Sequence, residues 1–301
     1  MSLTFIILLF LGIVFIILLV LNILKIINTA RATAYSLINN IHCKETACPP
    51  NVSNVLALPG TPDASPTSPL DPVARRFCAD LIGRITLKTT PYIVENPPAC
   101  DLIFAWTDDS NYPSFCLGWR SGTTVFIAIR GTMSFGEVIV DLDYVQKPLG
   151  PAGTPKTLVH SGFLDLYEKF HTGLVATLHT INPTGIYVTG HSLGAGIASI
   201  CALSLIKEGF PNTVCYVFAS PRVGNIDFVQ WVDRTLPLFR LENTCDLVPT
   251  LPFSVCPNFE DIESPYFYMH AGRVSYYSDN RGSLQNNHLI ASYIDFLTSI
   301  K

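Results

Sequence analysis

The sequence is poor in charge. Only 14% of its 301 residues are Asp, Glu, Lys or Arg, and 19 basic against 23 acidic residues leave a net charge of −4. No block of like charge occurs, so the concentrated basic face that a nucleic-acid partner requires is missing, and no nucleic acid is expected as partner. The spacings of metal chemistry are lacking as well. There is no His-Glu-x-x-His, no Cys-x-x-Cys pair and no Asp-rich calcium loop, which argues against a metal. A phosphate-cradling glycine loop is also absent, because Gly190, Gly194 and Gly196 gather around a single serine. No cofactor is expected, and no internal repeat is found.

What the chain does hold is apolar surface, 49% of its residues, much of it at one end. "LTFIILLFLGIVFIILLVLNIL", residues 3–24, contains no charge, and about 20 apolar residues span a bilayer as a helix. A cleaved signal peptide would show a basic start, a shorter apolar core and a small-residue cleavage site. Here only Met1 and Ser2 precede the run and Lys25-Ile26-Ile27 follows it, so residues 1–27 are read as a retained single-pass anchor. Lys25, Arg31 and Lys44 on its carboxyl side, opposed by Glu45, favour a cytosolic main domain. Nine cysteines, an odd number, pull toward an oxidising compartment. The side of the membrane is left open. Residues 28–72 read as a linker, with seven prolines between Pro49 and Pro72 marking an extended tether.

From Val73 the periodicities change. "VARRFCADLIGRI" spaces Val73, Phe77, Leu81 and Ile85 by four, an amphipathic helix. "DLIFAW", "FCLGWR" and "TTVFIAIRGT" read as strands, "GFLDLYEKFHTGLVATLHTI" as a helix, and "GIYVTG" as a short buried strand. "LGAGIASICALSLI" follows as a helix, "TVCYVFAS" as a strand, "NIDFVQWVDRTL" as a helix, "LFRLEN" as a strand and "LIASYIDFL" as a last apolar-periodic segment. Strands alternating with helices through short links predict an α/β sandwich with a mostly parallel sheet.

Gly190-His191-Ser192-Leu193-Gly194 stands at one strand-to-helix seam. A serine hydroxyl is a weak nucleophile unless a base and an oxyanion pocket serve it. On a strained strand–turn–helix corner, glycines at ±2 let the neighbouring elements approach, and the N–H of Leu193 can point at a developing oxyanion. In α/β hydrolases the acid and then the histidine follow the serine in the chain. Only His270 and His288 do so, and His288, between a polar segment and the terminal apolar one, is favoured over His270 among its aromatics. Asp246, just past the strand "LFRLEN", is the favoured acid over Asp227, Asp233, Asp261, Asp279 and Asp295. A second oxyanion donor is expected after an earlier strand, at Thr132 of "IRGT".

Residues 73–301 resemble the class 3 (fungal-type) triacylglycerol lipase family. The pieces that carry the resemblance come in the family's order: "IRGT", "VHSGF", "GHSLGAGIA", "SPRVGN", "DLVPTLP" and the pair His288 and Tyr293. The resemblance implies an α/β-hydrolase fold, Ser192, Asp246 and His288 as catalytic triad, and Thr132 with Leu193 as oxyanion hole. It also implies that Met133 to Gln146 form a lid, in agreement with the i, i+3, i+4, i+7 apolar spacing of Phe135, Val138, Ile139 and Leu142. His160 and Arg130, which match family motifs, are assigned to the scaffold. The expected function is a membrane-anchored serine esterase acting on the fatty-acyl esters of lipids. A phospholipase A1 or acyltransferase on the same residues, and an idle hydrolase-like module that binds lipid, are the alternatives. The anchor, the tether and the short span from Asp246 to His288 depart from the family's secreted members and point away from bulk triglyceride.

Overall fold

The computed structural model describes residues 70–86, 96–107, 115–131, 144–150, 156–258, 261 and 263–300. The expected anchor (1–27), nearly all of the tether, Cys43, Cys48, Thr132 and most of the expected lid lie outside the described residues. Among those described, no helix is long and apolar enough to cross a membrane.

The first described helix, α1 (Pro72–Thr86), begins where its sequence says it should. Asp71 Oδ1 accepts from the N–H groups of Val73 and Ala74 at 2.9 and 3.0 Å, and Pro72 supplies a preset φ at the first turn. Strands β1 (Asp101–Trp106), β2 (Cys116–Ser121) and β3 (Thr124–Ile129) form an antiparallel meander. The β2–β3 turn is Gly122-Thr123, where Gly122 takes a φ of 59° that its lack of a Cβ permits.

From β3 the order continues through β4 (Gln146–Pro148), β5 (Leu158–His160), α2 (Ser161–Ile181), β6 (Gly185–His191), α3 (Leu193–Lys207) and β7 (Thr213–Phe218). Then come α4 (Ile226–Thr235), β8 (Leu238–Asn243), a 3-10 turn (Val248–Thr250), β9 (Val255–Cys256), β10 (Tyr266–Phe267) and β11 (Arg273–Tyr277). Two helices close the chain, α5 (Leu284–His288) and α6 (Ile290–Ser299). The seven-stranded sheet runs β1-β2-β3-β6-β7-β8-β11, and β3 to β11 in that order are mutually parallel.

Period-two alternation assigns the two faces of this sheet. Val125, Ile127, Ile129, Val188, Cys215 and Val217 pack beneath α2, α3 and α4, while Ala128, Tyr216, Phe218 and Leu241 face α1 and α6. Helix α3 lies so deep that twelve of its fifteen residues are buried, which is why it shows no polar stripe. The fold is thus the α/β-hydrolase-type sandwich with a mostly parallel sheet.

Several local expectations are corrected. Gln146 opens strand β4, paired with His160 of β5, instead of closing a helix, because its segment finds a backbone partner there. Strands β4, β5, β9, β10 and β11 had no place in the sequence reading. Four of them are two or three residues long, and β11 (RVSYY) is half-buried along most of its length. None offers the continuous apolar run of a central strand. The seven described cysteines, at 78, 100, 116, 201, 215, 245 and 256, are buried thiols distributed over the core, none bonded to another. Burial pushes the thiols of Cys116 and Cys215 well above their ordinary range. In the core they pack as small apolar side chains.

Candidate active site

The corner at residue 192 follows from close backbone contact. Strand β6 ends at His191, helix α3 begins at Leu193, and Ser192 between them is held at φ 58°, ψ −129°. A positive φ is costly for a side-chain-bearing residue and persists only where its surroundings impose it. They do so here. A Cβ on Gly190 would overlap the carbonyl of Gly194, and one on Gly194 would overlap the Ile129 carbonyl and lie 2.7 Å from that of Arg130. The Ser192 N–H donates to Phe218 O of β7 at 3.1 Å, and Ser192 O accepts from Ala195 N at 2.9 Å. The hydroxyl therefore stands at the carboxyl end of the parallel strands, at the amino terminus of α3. The first N–H groups of any helix have no intrahelical acceptor, so that of Leu193 faces this same end.

Asp246 comes from the turn after β8. Its N–H donates to Asn243 O at 2.9 Å, and its Oδ1 accepts from Val248 N at 2.9 Å. Oδ2 accepts from Tyr293 Oη at 2.7 Å and pairs with His288 Nδ1 at 2.8 Å. His288 Nε2 lies 2.8 Å from Ser192 Oγ. Ser192, His288 and Asp246, 96 and 42 residues apart in sequence, thus form one hydrogen-bonded chain. Each is buried, at 1%, 7% and 3% relative exposure, so water competes little for these bonds.

His288 is the last residue of the short helix α5, where a polar loop was expected. Ser283 explains the helix, since its Oγ accepts from Asn286 N at 3.1 Å as an N-cap. A second histidine then fixes the backbone there: His191 Nε2–H donates to the His288 carbonyl at 2.7 Å. Burial, reinforced by His288 beside it, holds the His191 imidazole well below its usual range, so it stays neutral. Tyr293 is held the other way. Burial first and the Asp246 carboxylate second push its phenol well above the ordinary value, keeping the proton that it donates.

The remaining candidates occupy other places. His270 Nε2–H donates to Pro249 O at 2.7 Å, bracing the turn behind Asp246. Asp233 accepts from Gly272 N at 2.7 Å, while Asp279 and Asp295 both bind Arg281. Asp227 lies in the first turn of α4. His160 Nδ1 accepts from Gly162 N at 3.1 Å, capping α2, and its ring stacks on Phe163. Arg130 is buried at the end of β3. Thr132 lies outside the described residues, but Gly131 just before it abuts the corner. A Cβ there would sit 2.7 Å from His191 O and 3.1 Å from Ser192 Cβ.

Sequence reasoning missed His191, Asn243 and Asn287 as parts of this site. His191 stood inside the serine motif and carried a usable signal. The two asparagines carried none that a single sequence displays.

Comparison with known proteins agrees with the geometry. The model of the class 3 lipases, "Lipase (class 3)", matches residues 126–256. A lipase of Rhizomucor miehei is 35% identical over 169 residues, 53% of this chain and 43% of that protein. Phospholipase A1-II 1 of Oryza sativa is 33% identical over 185 residues, 49% of this chain and 46% of its own length. The chain spans less than half the length of these curated relatives. The solved structure of a triacylglycerol lipase with a serine protease triad as its catalytic centre is 32% identical. It superposes with a TM-score of 0.51 over 62% of this chain and 69% of that one. On these matches, the chain belongs to the class 3 lipase family.

Proposed function

We propose that this protein is a membrane-anchored serine esterase that hydrolyses fatty-acyl esters of lipids through an acyl-enzyme. The observation that carries the reading is the unbroken hydrogen-bonded path from Ser192 Oγ through the His288 ring to Asp246. Ser192 Oγ attacks the ester carbonyl carbon as His288 Nε2 takes its proton. Asp246 keeps Nδ1 protonated and stabilises the imidazolium that forms. The tetrahedral oxyanion is met by the Leu193 N–H at the positive end of α3 and by Thr132. Collapse expels the alcohol, which leaves with the proton from Nε2. Water, deprotonated by the same nitrogen, then attacks the acyl-enzyme and releases the acid.

A lipid substrate is supported by the family and by the β9–β10 ribbon. Its cross-strand partners Val255 and Phe267 are both exposed, as are Phe253 and Met269 beside them. A membrane-resident lipid is supported by the uncharged run of residues 3–24. Either acylglycerols or phospholipids fit, the second because the rice relative bears the name phospholipase A1.

The test is covalent. A fluorophosphonate should label the wild-type chain and leave Ser192→Ala untouched, with hydrolysis falling on the order of 10⁶-fold as for other knocked-out serine nucleophiles. Labelling of Ser192→Ala, or a wild type that neither labels nor hydrolyses, would overturn the proposal. Diacylglycerol and phosphatidylcholine, offered in the same micelles, decide the headgroup.

A further inference from the structure

We infer that Asn243 and Asn287 are a reciprocal pair of positioning residues that set the carboxylate of Asp246 against the imidazole of His288; the inference rests on the triad reading above. Both amides are buried, at 1% exposure each. Asn287 Nδ2 donates to Cys245 O at 2.9 Å, the carbonyl of the peptide unit leading into Asp246. Asn243 Nδ2 donates to Asn287 O at 3.2 Å, the carbonyl of the peptide unit leading into His288. The asparagine on each side therefore grips the backbone of the other.

Their remaining bonds brace the turn before Asp246 and tie in the loop after β11. Asn243 Oδ1 accepts from Cys245 N at 3.1 Å and from Asp279 N at 3.0 Å, and its Nδ2 also donates to Asp279 O at 2.8 Å. Asn287 Oδ1 accepts from Arg281 N at 2.6 Å. Oxygens meet only N–H groups and nitrogens meet only carbonyls, so turning either amide over would reverse every bond it makes. Aspartate cannot replace either residue in kind, because it lacks the donor that faces the carbonyls.

A purely structural pair would also be buried and satisfied. What separates the two roles is where the bonds land. They hold the two peptide units directly before the acid and the base, one from each side, and a small misplacement of reacting groups costs about 10²-fold in rate.

The test uses the full-length chain and a soluble para-nitrophenyl butyrate substrate. Asn287→Ala and Asn243→Ala should each lower kcat by about 10²-fold with KM and fluorophosphonate-accessible protein unchanged. In an Asp246→Asn background the same substitutions should cost almost nothing more, because the group they position has lost its role. Single variants with wild-type kcat overturn the inference. So does an equal fold-loss in both backgrounds, which marks general destabilisation. Should Asn287→Ala fail to fold, Asn287→Ser, which refills part of the volume with a side chain one heavy atom too short to replace the Nδ2 donor, carries the same cycle with the same outcomes. A wild type that does not label refutes the triad reading instead.

Discussion

The two halves of the site are built on opposite principles. The nucleophile half is local: β6, Ser192 and α3 are contiguous in the chain, and glycine-permitted backbone contacts fix the corner. The acid–base half is assembled from β8, the loop after β11, and the α5–α6 junction, and is held by side chain-to-backbone hydrogen bonds. The first stores its geometry in sterics, the second in a polar network. One consequence is that the two halves should fail differently when disturbed.

In the polar half the damage is expected in the rate. Asp246→Asn keeps the shape of the turn but presents an amide to His288 Nδ1, favouring the wrong tautomer. A loss in kcat of about 10⁴-fold is expected from the behaviour of such a triad, with the fold intact by circular dichroism. A loss below tenfold would mean that the acid lies elsewhere and that this half is not what the network was built to hold.

In the local half the corresponding damage is to stability. Gly194→Ala drives a methyl group into the carbonyls of Ile129, the last residue of β3, and of Arg130 just past it, backbone atoms that cannot swing aside as a side chain could. A destabilisation of about 4 kcal/mol, at the upper end for one substitution, is expected in chemical unfolding. An alanine variant as stable as the wild type would show that the corner is soft and that steric contact does not fix the nucleophile half.

The same division explains what a reader of the sequence can and cannot see. The Gly-x-Ser-x-Gly corner, its flanking strand and helix, and the mostly parallel character of the sheet can be read from contiguous periodicity and the alternation of strands with helices. Ser192, Asp246 and His288, which the structure brings together, were nameable because chain order and strand ends narrow the choice. Asn243 and Asn287 were not, since an asparagine before a turn has an ordinary explanation and its partner lies 44 residues away. The helix ending at His288 was missed for a related reason: its one-turn length and polar sequence, LQNNH, are stabilised by a cap and by tertiary bonds, not by an apolar stripe. Short edge strands such as β4 and β9 exist only because a distant segment pairs with them.

His191 joins the halves, and its titration measures that joint. It sits in the local corner but donates to the His288 carbonyl of the polar half, buried and neutral. Its folded pKa is depressed, so below an unfolded value of about 6.5 the unfolded chain binds a proton that the native ring refuses. Stability should therefore hold above that pH and decline as pH falls from there toward the depressed folded value. The contribution of this one ring is a slope of about 1.4 kcal/mol per pH unit. His191→Gln retains an N–H donor and removes the titration. Urea unfolding at pH 7.5, 6.0 and 5.0 should then show a pH dependence shallower by that one proton. An unchanged slope would mean that the ring takes up its proton in the native state, and that the two halves are joined by something other than this neutral donor.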